Sequence, residues 1–265
     1  GAVPEFERLT SLENQRIKRV VRLRRGRHRR EEGVCVVEGE RQVQRALACG
    51  LAFEELFVCP ELYDEPRPAV EPAVACFEVA SELMEKMAYR ENPEGILAVV
   101  KPPQWDLESM ADRQLVLVSV SPGKPGNLGA MARTAEAAGV DAVLVADPVV
   151  DPFNPNAIRA STGAVFHLPV IAVEAGRLQT WLADAGYHVV AADPEGEIDY
   201  TDADLGGRVA VVIGPEAEGL DESWRVAADE VVSVPMHSQV VDSLNASVTA
   251  GVVLYEAIRQ RRRTD

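Results

Sequence analysis

The chain has 265 residues, 47% of them hydrophobic and 26% charged. That is close to the ordinary globular balance, so wholesale disorder and a small stapled scaffold are both excluded. Its formal net charge is −15, and no apolar run approaches the roughly 18 residues that a membrane-spanning helix needs.

The opening Gly1-Ala2-Val3-Pro4-Glu5 lacks a basic-then-apolar leader and reads as a trimmed tag, not as a secretory signal. Cys35, Cys49, Cys59 and Cys76 lie 14, 10 and 17 residues apart, with no CxxC pair and no neighbouring His. They read as reduced core thiols of a cytoplasmic protein, with no metal site among them.

From Arg16 to Arg30 there are nine basic residues (Arg16, Lys18, Arg19, Arg22, Arg24, Arg25, Arg27, Arg29, Arg30) and no acid, leaving 18 bases against 42 acids elsewhere. An acidic body with one basic arm repels polyanions everywhere except at the arm, which marks these nine as candidate nucleic-acid contacts. The alternative is a solubilising helix face. Val34–Val37 then reads as a short strand, Glu40–Cys49 as a helix stopped by Gly50, and Leu56–Cys59, Ala75–Val79 and Ile96–Val100 as strands, with a helix over Ser81–Met87. Lys101-Pro102-Pro103-Gln104-Trp105 breaks this pattern, because paired prolines neither donate to a ladder nor continue a helix. The division expected there is a domain over residues 1–104 and a second over 105–265.

The second half alternates more regularly: strand Leu115–Val120, helix Leu128–Ala138, strand Ala142–Ala146, a short helix near Asn156–Ser161, and a helix near Arg177–Ala185. Strands Tyr187–Ala192, Val209–Ile213 and Val231–Val234 follow, then a long terminal helix from about Ser243 that ends in Arg259, Arg261, Arg262 and Arg263. Strands that are continuous apolar runs separated by helices indicate a parallel sheet covered on both faces. Its carboxyl edge is the expected ligand site.

Three loops there carry unusual residues. In Pro125-Gly126-Asn127-Leu128-Gly129-Ala130-Met131-Ala132-Arg133, Asn127 is placed as an N-cap. Helical spacing puts Gly126, Ala130, Arg133 and Ala137 on one face and turns Leu128, Met131, Ala135 and Ala138 toward the sheet. Arg133 is then a candidate phosphate or carboxylate clamp, or else an ordinary surface Arg pairing with Glu136. Ile213-Gly214-Pro215-Glu216-Ala217-Glu218-Gly219-Leu220 is a buried strand entering an acidic turn, unsuited to a phosphate and tolerant of a cationic or hydroxyl-bearing ligand; a plain turn with a capping Glu is the alternative. Val234-Pro235-Met236-His237 and Asp242-Ser243-Leu244-Asn245-Ala246-Ser247 place short polar side chains where the last helix begins. That helix is apolar on two sides, one carrying Leu244, Val248, Gly251, Tyr255 and Ile258 and the other Ala246, Ala250, Val253 and Ala257. Such a helix is either enclosed within its own domain or buried against a second copy of the chain.

Taken together, these three loops resemble the SpoU-type branch of the knotted SPOUT RNA methyltransferases. The resemblance rests on Asn127 to Ala135, on Ile213 to Leu220, and on Pro235-Met236 with Ser243 to Ser247. Ala160 to Phe166 is similar to a small-residue segment of the family, and Ser11 to Asn14, Val36 to Glu40 and Glu94 to Ala98 are similar to its small RNA-binding domain, so nearly the whole chain is covered. One departure stands out: Met236 to Asp242 contains no glycine and is longer than the family pattern. The resemblance implies an α/β fold with a C-terminal trefoil-knotted, parallel-sheet methyltransferase domain behind a smaller N-terminal α/β RNA-binding domain. It implies S-adenosylmethionine-dependent 2′-O-ribose methylation of structured RNA, with large-subunit 23S rRNA as the first expectation and antibiotic resistance among the implied roles. A transfer-RNA target and a non-catalytic RNA-binding module are the alternatives.

Carried over position by position, Asn127, Arg133, Glu216, Ser243 and Asn245 match catalytic or substrate-placing residues. Ser161, Thr162, Gly163, Ile213, Gly214, Glu216, Gly219, Val234, Met236, Ser243, Leu244 and Asn245 match the cofactor site, and a homodimer formed through the knotted domain is implied as well. No metal is required. A guanidinium has a pKa above about 12 and is a poor proton acceptor, so Arg133 is expected to grip an RNA phosphate and orient the ribose hydroxyl. A dinucleotide enzyme is disfavoured, since no GxGxxG follows the first strand.

Overall fold

The computed structural model describes residues 4–263, so Gly1 to Val3 of the tag-like opening lie outside the described residues. The chain divides into two compact units. One runs up to Gln104 and takes in Phe153–His167; the other comprises Trp105–Pro152 and the chain from Leu168 onward.

The first unit is built from β1 (Phe6–Leu9), α1 (Gln15–Arg22), α2 (Gly26–Glu32), β2 (Cys35–Glu38), α3 (Glu40–Ala48), β3 (Phe53–Val58), β4 (Ala75–Val79), α4 (Ser81–Met87) and β5 (Ile96–Val100). The strands form a mixed sheet in the order β1-β4-β3-β5-β2, with β5 antiparallel to both neighbours. Ile17, Val20 and Leu23 are buried with Phe57, Phe77, Leu83 and Met84 in its core. The basic run is therefore not an extended arm. It forms two short helices whose apolar residues help to make the core, because Ile17 and Val20 fall on one helical face. Cys35, Cys59 and Cys76 are buried thiols and Cys49 is half-buried.

The second unit opens with a short 3₁₀ turn at Leu107–Met110, then β6 (Leu115–Val120), α5 (Pro125–Ala137) and β7 (Ala142–Ala146). After β7 the chain departs to give α6 (Pro155–Ala160) to the first unit, where α6 packs on β2. It then returns as β8 (Val170–Val173), α7 (Ala175–Asp184), β9 (His188–Ala192), β10 (Ile198–Asp199), β11 (Val209–Ile213), α8 (Glu222–Ala227), β12 (Glu230–Ser233) and α9 (Ala246–Arg262). All seven strands are parallel, in the order β10-β12-β9-β11-β6-β7-β8. The central strands are fully buried, as continuous apolar runs demand when both faces of a sheet are covered.

Helix α5 turns Leu128, Met131, Ala135 and Ala138 inward and leaves Gly126, Arg133 and Ala137 exposed. Helix α9 lies beside it, with Gly251 facing Thr134. Ala246, Ala250, Val253, Leu254 and Ala257 of α9 are buried, whereas Val248 and Tyr255 are about half exposed, at 49% and 51%. Among the described residues, no helix is long and apolar enough to cross a membrane.

Candidate active site at the carboxyl edge of the parallel sheet

A cavity of about 420 Å³ opens where β9, β11 and β12 end, within the range of small-molecule sites. Ile213, Gly214, Glu216, Gly219, Val234, Met236, Ser243 and Leu244 line it, so three loops distant in sequence meet in one place. A second cavity of about 370 Å³ adjoins it, lined by Ser119 to Lys124, Asn127, Met131 and Val149. Gly214 to Glu218 and Ala246 line both and form the partition between them.

That partition is locked by hydrogen bonds through Glu216. Its Oε1 accepts from the Ala246 backbone N–H at 2.9 Å and from Asn127 Nδ2 at 3.1 Å. Asn127 Oδ1 in turn accepts from Asn245 Nδ2 at 3.2 Å. These bonds account for the start of α9, where four N–H groups have no intrahelical partner. Ala246 N–H is taken by Glu216, Ser247 N–H by the Asn245 side chain, and Val248 and Thr249 N–H by the Asn245 carbonyl. A carboxylate at the positive end of α9 is also favoured by the helix dipole.

Asn127 reaches this network because it is not the N-cap that its position suggests. Lys124 is the cap and Pro125 holds the first helical position, where its missing N–H is harmless. The Asn127 side chain is thereby free to bridge. Gly219 closes the acidic turn with φ +68°, a left-handed conformation that glycine adopts without a Cβ clash. Ser121, next to the second cavity, holds φ +44° without being glycine, the kind of local strain that collects at functional sites.

Two residues of this site were not singled out by their sequence pattern. Asp193 follows β9 directly, is 5% exposed and is among the residues lining the cavity. Arg225 Nη2 donates to Asp193 Oδ2 at 3.1 Å and lies 3.6 Å from Glu195. Arg225 is carried by α8, whose start is fixed by Asp221. The Ser223 hydroxyl and the Trp224 N–H both donate to that carboxylate and hold its pKa below the ordinary value. Trp224 is fully buried and anchors the helix. The available signals were an acid at the end of a buried strand and an Asp N-cap before Glu222-Ser223-Trp224.

Other expected site residues are not among those that line the two cavities. Ser161, Thr162 and Gly163 belong to the first unit and are not among the residues lining either cavity. The Ser161 hydroxyl donates to the Ile158 carbonyl, and Thr162 Oγ1 accepts from Arg45 Nη1 at 2.6 Å. Arg133 is exposed, lines neither cavity and is not paired with Glu136. His237 is exposed.

Several members of the basic run are consumed within the first unit. Arg19 binds Glu32, Glu54 and Glu55, and Arg16 binds Glu55, which is nearly buried. Lys18 pairs with Glu13 and Arg27 with Glu31. Arg24 donates to the Lys86 and Ala88 carbonyls, and Arg29 to those of Leu23 and Arg24. Arg22, Arg25 and Arg30 are exposed and have no such partners among the described residues. Among the described residues no cluster of three His, Cys, Asp or Glu side chains is arranged to hold a metal.

A model of the SpoU rRNA Methylase family matches residues 114–255, and one of the MRM3-like substrate binding domain matches residues 14–98. The chain belongs to the SpoU rRNA methylase family. The 23S rRNA (guanosine(2553)-2′-O)-methyltransferase RlmP of Bacillus subtilis is 30% identical over 252 residues, 94% of this chain and 98% of that protein. The 23S rRNA (uridine(2479)-2′-O)-methyltransferase of Streptomyces viridochromogenes is 36% identical over 187 residues, 68% of this chain and 65% of that protein. Among solved structures, the SpoU methyltransferase AviRb of S. viridochromogenes in complex with the cofactor AdoMet is 30% identical with a TM-score of 0.80, and the match covers 94% of this chain and 98% of that one.

Proposed function

We propose that this protein transfers the methyl group of S-adenosylmethionine to a ribose 2′-oxygen of 23S rRNA. The observation that carries this reading is the pair of cavities at the sheet edge, divided by a loop that Glu216, Asn127 and Asn245 hold in place. One side suits the methyl donor and the other the nucleotide. The first cavity is lined by Asp193, Glu195, Glu216, Glu218 and Asp242 against Arg225 alone, which suits a ligand with a net positive charge. The donor supplies an already activated electrophilic methyl, so the protein's main task is alignment, which can lower a barrier by about 7 to 11 kcal/mol.

Asn127 and Glu216 fix the partition at which the ribose hydroxyl must arrive. Arg133, as a permanently charged guanidinium, is assigned to an RNA phosphate and not to proton removal. Its exposed place on α5, on the same pair of helices as the exposed Val248 and Tyr255 of α9, supports a homodimer in which these surfaces meet. The trefoil knot belongs to the same reading. Arg22, Arg25 and Arg30 are assigned to the RNA backbone.

The test is mass-spectrometric mapping of ribose methylation after the full-length protein is incubated with unmodified 23S rRNA and S-adenosylmethionine. One new 2′-O-methylated nucleotide is expected. Arg133→Ala should abolish it while leaving donor affinity within about twofold of wild type. Absence of any ribose methylation, or transfer that persists in Arg133→Ala, overturns the respective assignment.

A further inference from the structure

The first turn of α5 is left open beside the second cavity. Pro125 brings no N–H, and the first intrahelical bond runs from the Leu128 N–H to the Lys124 carbonyl. The N–H groups of Gly126 and Asn127 therefore have no acceptor among the described residues. The cap cannot serve them, because a lysine side chain carries donors only. By contrast α7, α8 and α9 of the same unit each start on an acceptor side chain, from Glu174, Asp221 and Asn245. Lys124 lines the cavity, is exposed and forms no ion pair among the described residues. Gly123 and Gly126 flank it; neither has a positive φ, and a Cβ on either would meet nothing within 4 Å. Neither backbone geometry nor packing requires glycine at these two positions, and its small size leaves a clear approach to the turn.

A second observation points to an occupant. Ser119 lies in β6 between Ile213 of β11 and Val145 of β7, on the face opposite Val116 and Val118, and lines the same cavity. It is only 2% exposed. Its hydroxyl has no hydrogen-bond partner among the described residues, yet it is not one of the polar atoms there that are sealed from contact. A nearly buried polar group left in this way calls for a partner. An ammonium is repelled by Lys124, and an apolar ligand leaves the two N–H groups and the Ser119 hydroxyl unmet. A phosphate suits a helix N-terminus that carries a cation. No acid lies between Ser119 and Asn127. On the other wall Glu216 is already bound to Ala246 and Asn127, and Glu218 stands beside it, so an anion has its place at the α5 end of the cavity.

We propose that a phosphodiester flanking the target ribose lies on the open turn of α5, held by Lys124 and by the Gly126 and Asn127 N–H groups, while the Ser119 hydroxyl meets another polar group of the same nucleotide. This rests on the assignment of the second cavity to the RNA substrate. Asn127 belongs to the same turn and reaches the partition, so phosphate and 2′-hydroxyl are placed from one helix end. Arg133 lies seven residues beyond Gly126, about 10 Å further along the helix, and takes a different phosphate.

The test is the kinetics of methyl transfer by the full-length protein to an RNA fragment that spans the mapped target nucleotide, with either flanking phosphodiester replaced in turn by a neutral methylphosphonate. In the wild type, one of the two replacements should raise KM about 10-fold with kcat nearly unchanged, the lower scale of a charge-assisted hydrogen bond. Lys124→Gln should raise KM for the ordinary RNA by a similar factor and shrink the penalty of the neutral link to under about threefold, since the interaction is already lost. Lys124→Arg should restore most of the affinity. Lys124→Asp should bind RNA more weakly still, yet melt about 2 to 4 °C higher, because Asp supplies the missing cap; a residue kept only for folding would not separate the two readouts. Ser119→Ala should raise KM about 2- to 10-fold and leave the neutral-link penalty at full size. Lys124→Gln with wild-type KM, a neutral-link penalty that it retains in full, or a wild type indifferent to both neutral links overturns the phosphate subsite and leaves the cavity assignment standing. An unchanged KM in Ser119→Ala removes the hydroxyl from it. No methyl transfer by the wild type overturns the underlying reading.

Discussion

Replacing Glu216 tests whether one carboxylate holds the partition and the start of α9 together. In Glu216→Ala the Ala246 N–H, on a residue only 9% exposed, loses its 2.9 Å acceptor and Asn127 Nδ2 loses its 3.1 Å acceptor. A hydrogen bond to a charged group is worth about 1.5 to 3 kcal/mol net, and an anion at a helix N-terminus adds about 0.3 to 1. Glu216 itself is exposed, which argues for the lower end, so local opening should become easier by about 2 to 3 kcal/mol. Glu216→Gln retains an oxygen for Ala246 and loses only the charge, for a cost of about 1 kcal/mol or less. Native-state hydrogen exchange reads the difference directly. The Ala246 amide should exchange at least about 30-fold faster in Glu216→Ala and less than about fivefold faster in Glu216→Gln. Equal acceleration in both variants, or under threefold in Glu216→Ala, would show that the carboxylate does not organise this junction.

Three further outcomes follow from particular contacts. Gly219→Ala should lower the unfolding free energy by about 1 to 2 kcal/mol in denaturant titration, because the left-handed backbone there penalises a Cβ; if the loss is absent, the turn is not held at positive φ. Asp221→Ala should cost about 1 kcal/mol through loss of the α8 cap. Since native contacts hold the Asp221 pKa below its ordinary 3.8, its contribution is complete above that value and is lost as the pH falls through the lower native value. Acid unfolding of the variant should therefore be less steep than wild type, and an identical acid transition would contradict the capping role. Replacing Arg22, Arg25 and Arg30 together by Ala should lower the slope of log affinity for RNA against log salt by about 2 to 3 with the melting temperature nearly unchanged. Arg19→Ala should instead lower the melting temperature, since its partners include the nearly buried Glu55. The reverse pattern would reassign the RNA-facing residues.

Much of the second unit is readable because its strands are uninterrupted apolar runs. β6, β7 and β11 lie where those runs predict, and the motif loops gather where parallel strands end. β8 escapes notice because it has four residues and no periodic flank. The basic run reads as an arm because it contains no acid, and two of its neutralising carboxylates, Glu54 and Glu55, are far along the chain. Asp193 and Arg225 are 32 residues apart with no motif between them, so only the fold reveals the pair. Val248 and Tyr255 share a helix side with an apolar pattern, yet that pattern does not say whether their cover comes from the same chain.

The loan of Phe153–His167 to the first unit sets an order on biosynthesis. A ribosome that has released everything up to Gln104 has not yet delivered α6, whose seat on β2 stays empty until a further sixty or so residues have emerged. The leading half therefore completes its native contacts only after part of the trailing half is made. A truncation at the proline-rich junction should yield an adhesive, incomplete fragment that regains its native surface when a peptide spanning 153–167 is supplied in trans.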